Sequence, residues 1–340
     1  MKRTKQRDPF FDNAKFLLMF LVVFGHFLQP FTQTNPFYHT LYYFIFLFHM
    51  PAFILIAGYF SKSFAHSGSM KTSIKKLILP YIAFQLLYSG YYYWIGLNDK
   101  MEWDLLVPQW SLWFLLSLFC WQGSLYLFKR LPASVGIVLS IAISLLAGYI
   151  TVGERIFALQ RTLTFLPYFI SGFYLQERQI TAFRQSTVKY ISIGLLPMLY
   201  LIVQGMDKMN KYWVFGSEPY EDFLQVPELG AAVRFVVFTF GILGIIGFFG
   251  LVPQKKMFFT KWGKNTMLVY LLQGFFVKGL RALSIDELNL TILGFLMIAI
   301  SSLFLTIVLA SDPVQKIKKY LFKKLRNSAG RISYLKSSLF

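Results

Sequence analysis

Residues 7–26 read RDPFFDNAKFLLMFLVVFGH and set the organisation of the whole chain. The apolar run within them is long enough for a membrane-spanning helix, which needs about 20 residues. It is longer than the core of a signal peptide, contains Lys15 and His26, and has no small-x-small cleavage site. We therefore expect this segment to remain in the mature protein as its first transmembrane helix.

The composition predicts that the rest of the chain also lies in a membrane. Of the 340 residues, 56% are hydrophobic and 14% are charged, whereas roughly a quarter of the residues in a soluble domain are charged. In a soluble protein the net charge of +19 would suggest a nucleic-acid partner. A nucleic-acid binder needs a solvated basic face, which this sequence lacks, so we expect membrane lipids and no nucleic acid as partners.

Apolar runs of a length that suits a bilayer recur along the chain. Ten such segments lie near residues 11–31, 40–60, 74–96, 111–129, 132–150, 163–177, 188–204, 231–251, 265–283 and 290–310. The fold that we predict is an all-α, polytopic transmembrane helix bundle. Its membrane domain covers residues 1–310, and a basic tail follows at residues 311–340.

The positions of Lys and Arg predict the orientation of the bundle. With a cytoplasmic amino terminus, 25 of the 34 Lys and Arg lie in cytoplasmic segments and 8 in outer segments, and Lys15 lies within the first span. Cytoplasmic loops of membrane proteins carry such an excess of positive charge. We expect both termini in the cytoplasm and a multi-pass protein of the cell membrane.

The tail has apolar residues at helical spacing, among them Val314, Ile317 and Leu321, with lysines on the remaining faces. This pattern is typical of an amphipathic helix that lies on anionic lipid at the cytoplasmic surface. A solvated basic end that only fixes the topology has the same composition. The sequence leaves both interpretations open.

Lys15 and His26 are the ionisable residues that the first span places deepest, and such residues in a membrane are candidates for function. They are eleven residues apart, which at about 100° per residue brings them to one face of a helix, about 16 Å apart along its axis. That separation is comparable with the length of an extended pantetheine arm. A groove along this face would run from a cation at the inner surface to an imidazole deep in the membrane.

Each of these two residues also has a structural interpretation. Lys15 is placed as a snorkelling anchor would be, and His26 is placed to form an interhelical hydrogen bond. His49 in the second span favours function, because two adjacent helices would then carry imidazoles into one bundle. A neutral imidazole takes a proton from an attacking hydroxyl at ordinary pH, as a general base does.

Two arginines, Arg155 and Arg161, precede the short sixth span on the side where cations are scarce. A guanidinium there would hold a phosphate or stabilise an oxyanion, or it would simply mark the topology. Asp12 near the inner entrance is a further candidate for substrate binding. Trp113 suits an aromatic belt at the membrane surface, and stacking against a sugar is its second use.

The remaining polar residues within spans favour structural roles. Gln85, Gln122, Asn265 and Gln273 would join helices through hydrogen bonds or, less simply, orient a substrate. The single cysteine, Cys120, allows neither an intramolecular disulfide nor a thiolate metal site. We expect no metal site in this chain.

Several stretches together resemble the acyltransferase-3 family of integral membrane acyltransferases, in particular its branch similar to fucose 4-O-acetylase. That family has a Lys or Arg, ten residues and then a His in its first helix, which Lys15 and His26 match. Three further stretches agree in the expected order, namely FHMPAFILIAGYF at 48–60, SLWFLLSLF at 111–119 and RTLTFLPYFISGFYL at 161–175.

The resemblance implies transfer of an acyl group, usually acetyl, from cytosolic acyl-CoA to a hydroxyl of a carbohydrate acceptor, a cell-surface glycan or its lipid-linked precursor. Acyl-CoA would be a co-substrate, and no bound cofactor is implied. His26 would be the catalytic base, Lys15 would hold the donor or place the helix, and Arg161 would support the active site. His49 is a further candidate, and Gln273 stands where related sequences often carry His.

Two other functions remain open from the residues alone. A transporter or flippase of a glycan intermediate or small solute would use the same buried charges as a substrate path. The sequence lacks the repeated halves and the matched, interrupted spans of many transporters. A non-catalytic membrane scaffold is the second alternative.

Overall fold

The computed structural model describes residues 7–33, 35–151, 156–206, 209–283, 291–317 and 320. Within these ranges the regular elements are helical and no strand forms. The α-helices are α1 (Pro9–Leu28), α2 (Pro36–Phe60), α3 (Lys62–Ser67), α4 (Met70–Ser73), α5 (Leu79–Trp94), α6 (Trp113–Phe128), α7 (Ala133–Ala147), α8 (Leu159–Tyr174), α9 (Glu177–Phe183), α10 (Ser186–Gln204), α11 (Tyr212–Phe215), α12 (Gly230–Leu251), α13 (Thr266–Arg281) and α14 (Ile292–Ala310). Short 3-10 turns lie at Gln29–Gln33, Trp110–Leu112, Ile156–Ala158, Tyr220–Asp222, Pro227–Leu229 and Thr260–Trp262, and a π-helical turn at Ile74–Ile78.

The all-helical prediction is confirmed, because the described residues of each of the ten apolar segments form mainly helix. Among the described residues, six helical runs are long and apolar enough to cross a membrane, namely Pro9–Gln33, Pro36–Ser67, Trp110–Phe128, Ser186–Gln204, Pro227–Leu251 and Ile292–Ile317. The count of ten spans and the cytoplasmic placement of both termini stay predictions. Most of the tail at 311–340 lies outside the described residues.

The sequence around Asp8 explains where α1 begins. The Asp8 side chain caps the helix by accepting a hydrogen bond from the Phe10 amide at 3.0 Å, and Pro9 occupies the first helical position, where no amide donor is needed. The same carboxylate pairs with Arg184, which follows α9. One short motif therefore starts the helix and fixes its first turn to a neighbouring segment.

Asn13 fastens α1 to the connection between α12 and α13. This side chain is completely buried. Its Nδ2 donates to the carbonyl oxygens of Pro253 at 2.8 Å and Lys255 at 2.9 Å, and its Oδ1 accepts from Thr260 Oγ1 at 2.6 Å. A buried amide with every polar atom paired stabilises one arrangement of the chain over others.

The connection that Asn13 holds sets α13 beside α1 along its length. Near the first turns of the two helices, the Phe16 ring stacks on Phe259 at 5.1 Å and lies 5.7 Å from Trp262. At the other ends, the Arg281 guanidinium donates to the backbone oxygen of His26. The two helices therefore run parallel and side by side, and they share one wall of the interior.

Two glycines bring α2 and α8 into backbone contact. A Cβ atom on Gly58 would collide with the carbonyl oxygen of Phe169, and a Cβ atom on Gly172 would collide with the carbonyl oxygen of Leu55. Small residues of this kind let membrane helices approach closely, so that many weak contacts form along the interface. The pair fixes the relative positions of α2 and α8, each of which carries a candidate site residue.

Gln85 in α5 holds the loop that leads to α6. Its Nε2 donates to the carbonyl oxygens of Asp104 and Val107, each at 2.7 Å, and its Oε1 accepts from the Gln109 amide at 2.8 Å. The next residue, Trp110, has φ at 33°, a conformation that is unfavourable for a residue with a Cβ. The buried glutamine therefore helps to hold a strained tryptophan in place.

Two other polar residues within predicted spans also join helices. Gln122 in α6 accepts a hydrogen bond from Ser73 at 2.6 Å. Asn265 donates to the carbonyl oxygen of Ala310 at 2.7 Å and so connects the start of α13 to the end of α14. These contacts agree with the structural role that the sequence favours for both residues.

We predict that Gly58→Val and Gly172→Val each destabilise the protein by about 1–3 kcal/mol, the usual cost of overpacking. Each added side chain would push α2 and α8 apart at a backbone contact. Gly194→Val is the matched control, because a Cβ at this helical position meets nothing within 4 Å. Thermal unfolding in detergent measures the effect, and an equal loss in all three variants would contradict the assigned contact.

Candidate active site

A cavity of about 410 Å³ extends along the inside of the bundle, and we call it the central cavity. Side chains of α1, α2, α6, α8, α11 and α13 surround it, together with the turn at Trp110–Leu112. Its polar lining comprises Lys15, His26, Gln29, His49, Ser111, Arg161, Thr266, Tyr270, Gln273 and Arg281. Among the described lining residues three are cationic and none is a carboxylate, so the cavity favours an anionic or electron-rich ligand.

One face of α1 forms a full side of this cavity. Lys15, Met19, Val22 and His26 all line it, and they recur every three or four residues, as positions on one helical face do. The structure therefore places Lys15 and His26 on the common face that their spacing predicts. By the rise of a helix they are about 16 Å apart along the axis.

Lys15 marks the end of the central cavity nearest the start of α1. Its Nζ lies 2.8 Å from Asp12 Oδ1, and the other oxygen of that carboxylate lies 2.7 Å from Arg7 Nε. Asp12 is buried and does not line the cavity. The Asp12 carboxylate thus orients Lys15 from outside the cavity. At this end of the cavity, Arg7 and Lys15 both contact this one carboxylate.

His26 lies near the opposite end, enclosed by aromatic rings. Its ring centroid is 4.4 Å from that of Trp110 and 5.7 Å from that of Phe46. Arg281 Nη2 donates to the backbone oxygen of His26 at 3.3 Å and to Gln29 Oε1 at 2.5 Å. These contacts hold the last turn of α1 and limit the orientations that the imidazole can take.

His49 in α2 is the second imidazole of the central cavity. Its Nδ1 lies 2.8 Å from the backbone oxygen of Ile45, and since a carbonyl oxygen only accepts, Nδ1 is the donor. In the neutral ring, Nε2 then carries the free lone pair. The Phe46 ring contacts both imidazoles, with its centroid 4.5 Å from that of His49 and 5.7 Å from that of His26, so the two histidines line the cavity around one phenyl group.

A second cavity of about 400 Å³ adjoins the first, and we call it the vestibule. Trp110, Trp113, Arg161 and Phe215 line both cavities and form the boundary between them. The polar residues that line only the vestibule are Glu102, Gln109, Gln160, Lys211, Tyr212, Ser217 and Glu218. The vestibule is thus more polar than the central cavity, and it carries both signs of charge.

Arg161 near the start of α8 contributes the cation at this boundary. Its Cζ lies 5.2 Å from the Trp113 ring centroid and 6.0 Å from that of Phe215, distances typical of cation–π contacts. The Trp113 ring in turn stacks on Phe165 at 5.6 Å. The guanidinium is held among aromatic faces and faces both cavities.

The structure brings most of the candidate residues to one place. Those that line the central cavity are Lys15, His26, His49, Trp113, Arg161 and Gln273. Asp12 acts on this group only through Lys15. Arg155 lies outside the described residues.

Two residues of the site, Trp110 and Arg281, do not follow from the sequence interpretation. Arg281 belongs to the predicted outer segments, and the scarcity of cations that singles out Arg161 applies to it equally. The scarcity of cations in the outer segments could therefore have identified Arg281 as a candidate. Trp110 reaches His26 through a backbone conformation with positive φ, for which a single sequence gives no signal at a tryptophan.

Chemically, the arrangement suits a reaction between two molecules that arrive through different cavities. An imidazole near the boundary is placed to accept a proton from a hydroxyl group. Arg161 and Arg281 supply positive charge near the same point, where negative charge that develops on a reacting oxygen would be stabilised. Lys15 supplies positive charge at the far end of the central cavity.

Comparisons with known proteins agree with such chemistry. The profile of a family described as "Acyltransferase domain" (Acyl_transf_3) matches residues 8–311. The chain is similar to the "Nodulation protein NolL" of Sinorhizobium fredii, with 23% identity over 290 residues, or 79% of this chain and 77% of that protein. No solved structure matches the chain at a significant level.

A second protein with that printed name, from Mesorhizobium japonicum, shows a shorter similarity. It is 44% identical over 61 residues. The alignment covers 17% of this chain and 16% of the length of that protein. It therefore supports a local resemblance, whereas the protein from Sinorhizobium fredii and the family profile extend over most of the chain.

We predict that Arg281 and Gln29 are energetically coupled. Arg281→Met removes the donor to the half-buried Gln29 acceptor, and a hydrogen bond to a charged group typically contributes about 1.5–3 kcal/mol. Because Gln29→Leu removes the same hydrogen bond, the double variant should lose less stability than the sum of the single losses, by about 1 kcal/mol or more. Unfolding titrations in mixed micelles give the free energies of unfolding of the two single variants and the double variant.

Arg281→Met combined with Gln122→Leu is the control, and we expect the stability losses of that pair to be additive. Additivity for Arg281 and Gln29 would contradict the contact.

Proposed function

The chain belongs to the Acyl_transf_3 family of acyltransferases, whose domain covers residues 8–311, and from this membership we propose the reaction of this membrane acyltransferase. It moves an acyl group, most simply acetyl, from acyl-CoA to a hydroxyl of a carbohydrate acceptor. The acceptor is a cell-surface glycan or its lipid-linked precursor. The enzyme acts in the cell membrane, with ten spans and both termini in the cytoplasm.

One observation carries this proposal, the continuous face of α1 that lines the central cavity from Lys15 to His26. Its length of about 16 Å suits an extended pantetheine arm. With the phosphate end of the donor near Lys15, the thioester lies beside His26. The cationic, carboxylate-free lining among the described residues of the cavity supports a donor that is anionic at one end.

The sidedness of the reaction follows from the predicted topology. Lys15 is near the cytoplasmic end of α1, so acyl-CoA enters the central cavity from the cytoplasm. The vestibule is then on the outer side, and it receives the acceptor. Its aromatic residues, including Trp113, offer faces on which a sugar ring stacks, and Arg161 offers a donor for sugar or carbonyl oxygens.

His26 acts as the general base in a direct transfer. The acceptor oxygen forms a bond to the thioester carbonyl carbon while the imidazole takes the hydroxyl proton. The carbon–sulfur bond then breaks, and the CoA thiolate leaves with that proton as the free thiol. Arg161 and Arg281 stabilise the oxyanion between these two steps. A covalent acyl-enzyme is less economical, because the sequence has no Ser or Cys in a recognised nucleophile motif.

We predict that His26→Ala lowers kcat by about 10²–10⁴-fold, the usual contribution of a general base. The assay follows labelled acetyl from acetyl-CoA into surface glycan purified from a deletion strain, with the protein in proteoliposomes. His66→Ala is the matched control, because His66 is exposed on α3 and lines neither the central cavity nor the vestibule. Full activity of the His26 variant would exclude the proposed role. Glycan movement across the bilayer without acyl-CoA would instead favour a transporter.

We predict that Lys15→Met raises the KM for acetyl-CoA by about tenfold or more, because a hydrogen bond to a charged group contributes about 1.5–3 kcal/mol. The KM for the glycan should change much less. Lys71→Met, which removes an exposed lysine from α4, is the control and should change neither value. If Lys15 served only as the partner of Asp12, then Lys15→Met and Asp12→Asn would both lower the unfolding temperature and leave the donor KM unchanged.

A further inference from the structure

Gln273 has a buried carboxamide that its surroundings do not satisfy. The residue is 0% exposed, it lines the central cavity, and neither its Nε2 nor its Oε1 has a hydrogen-bond partner among the described residues. A buried amide left without partners costs about 1–3 kcal/mol for each unpaired group. Native proteins seldom keep such a group unless something else binds it.

The position of Gln273 along α13 gives its depth in the cavity. Four cavity-lining residues of α13 are Thr266, Tyr270, Gln273 and Arg281. Arg281 is level with His26, to which it is hydrogen-bonded. Because Gln273 precedes Arg281 by eight residues, it lies about 12 Å further toward the inner end. That depth lies on the α1 face between Lys15 and His26, closest to the level of Met19.

The middle of the central cavity is otherwise mainly apolar. Met19 and Val22 of α1 face it, as do Met50 and Phe53 of α2. Nearby, the Tyr270 hydroxyl already donates to the backbone oxygen of Ser111. The Gln273 carboxamide therefore offers both a hydrogen-bond donor and an acceptor in a largely hydrocarbon environment.

From this placement we infer that Gln273 binds an amide of the pantetheine arm of the acyl donor. The inference rests on the proposed function, which places that arm along the α1 face. A pantetheine arm has two amides between its phosphate and its sulfur, with dimethyl and methylene groups around them. Its hydrocarbon parts contact the methionine and phenylalanine side chains, and one amide lies at the depth of Gln273.

The chemistry of the two groups is complementary. A carboxamide has an acceptor oxygen and an N–H donor, so it forms a pair of hydrogen bonds with another amide. A fatty acyl chain in the same place would leave Gln273 unpaired. A carboxylate would use only its donor. The orphaned carboxamide therefore acts as a specificity determinant for the amide-bearing carrier, and the transferred acyl group is recognised elsewhere.

The test combines a protein variant with donor analogues. Gln273→Met keeps the shape of the side chain and removes its hydrogen bonds. The donors are acetyl-CoA and two analogues in which one or the other pantetheine amide is replaced by an ester, which has no N–H. We expect one analogue to raise the donor KM of the unaltered protein by about tenfold, as the loss of one to two hydrogen bonds would. Gln273→Met should raise the KM for acetyl-CoA by a similar factor and show no further rise with that analogue.

The inference would be overturned if the ester analogue raised the donor KM of Gln273→Met by the same factor as that of the unaltered protein. An unchanged KM for acetyl-CoA in Gln273→Met would also overturn it. Both results leave the proposed function standing, since the unaltered protein still transfers acetyl. If the unaltered protein transfers no acetyl from acetyl-CoA, the proposed function itself fails and the inference fails with it. The two failures are therefore distinguishable in one set of assays.

A second measurement separates binding from a structural role. Without donor, Gln273→Met should unfold at the same or a higher temperature than the unaltered protein, because it removes an unpaired buried amide. Gln85→Met is the matched control, since Gln85 is equally buried but fully hydrogen-bonded, and it should unfold at a lower temperature. Added acetyl-CoA should stabilise the unaltered protein more than Gln273→Met. Destabilisation of Gln273→Met without donor, with equal stabilisation by acetyl-CoA, would overturn the inference.

Discussion

The structure depends on one constraint, the need to pair the polar groups that α1 carries into a medium without water. Unpaired polar groups in the bilayer core are costly, and three of the pairings here tie α1 to another segment. Asp8 binds Arg184, and Asn13 binds the connection before α13. At the far end, Arg281 binds the backbone of His26. The ion pair of Asp12 with Lys15 leaves the lysine facing the interior. Polar side chains that are costly in lipid thus fix the helix that carries the chemistry.

From this helix the site is completed by packing. The glycine contact between α2 and α8 sets His49 and Arg161 around the cavity that α1 and α13 border. Gln85 holds the loop before Trp110, and this indole covers His26. The result is two cavities that meet at an aromatic boundary containing a guanidinium. The His26 imidazole, on the central-cavity side of that boundary, lies where molecules entering the two cavities would meet.

Much of this was predictable from the sequence, and the reasons are physical. The apolar runs place the helices because the bilayer fixes their length. The spacing of Lys15 and His26 places both on one face because an α-helix has a fixed period. The helical period says nothing about partners that are distant in sequence. The pairing of Arg281 with Gln29 and the hydrogen bonds of Asn13 could therefore be found only from the structure. The role of Gln273 also changed, since a residue that the sequence favours as a helix joiner has no protein partner in the described chain. Trp110 was missed because its backbone conformation is set by its neighbours.

The main proposal for the site is that donor and acceptor reach His26 from opposite faces of the membrane. It is tested most directly with proteoliposomes in which the protein has one orientation. Labelled acetyl-CoA is supplied on one face and surface glycan from a deletion strain on the other. We expect labelled glycan only when acetyl-CoA is on the face that carries Arg7 and the glycan is on the face that carries the vestibule. Equal labelling in the reverse arrangement, or with both substrates confined to one face, would contradict it.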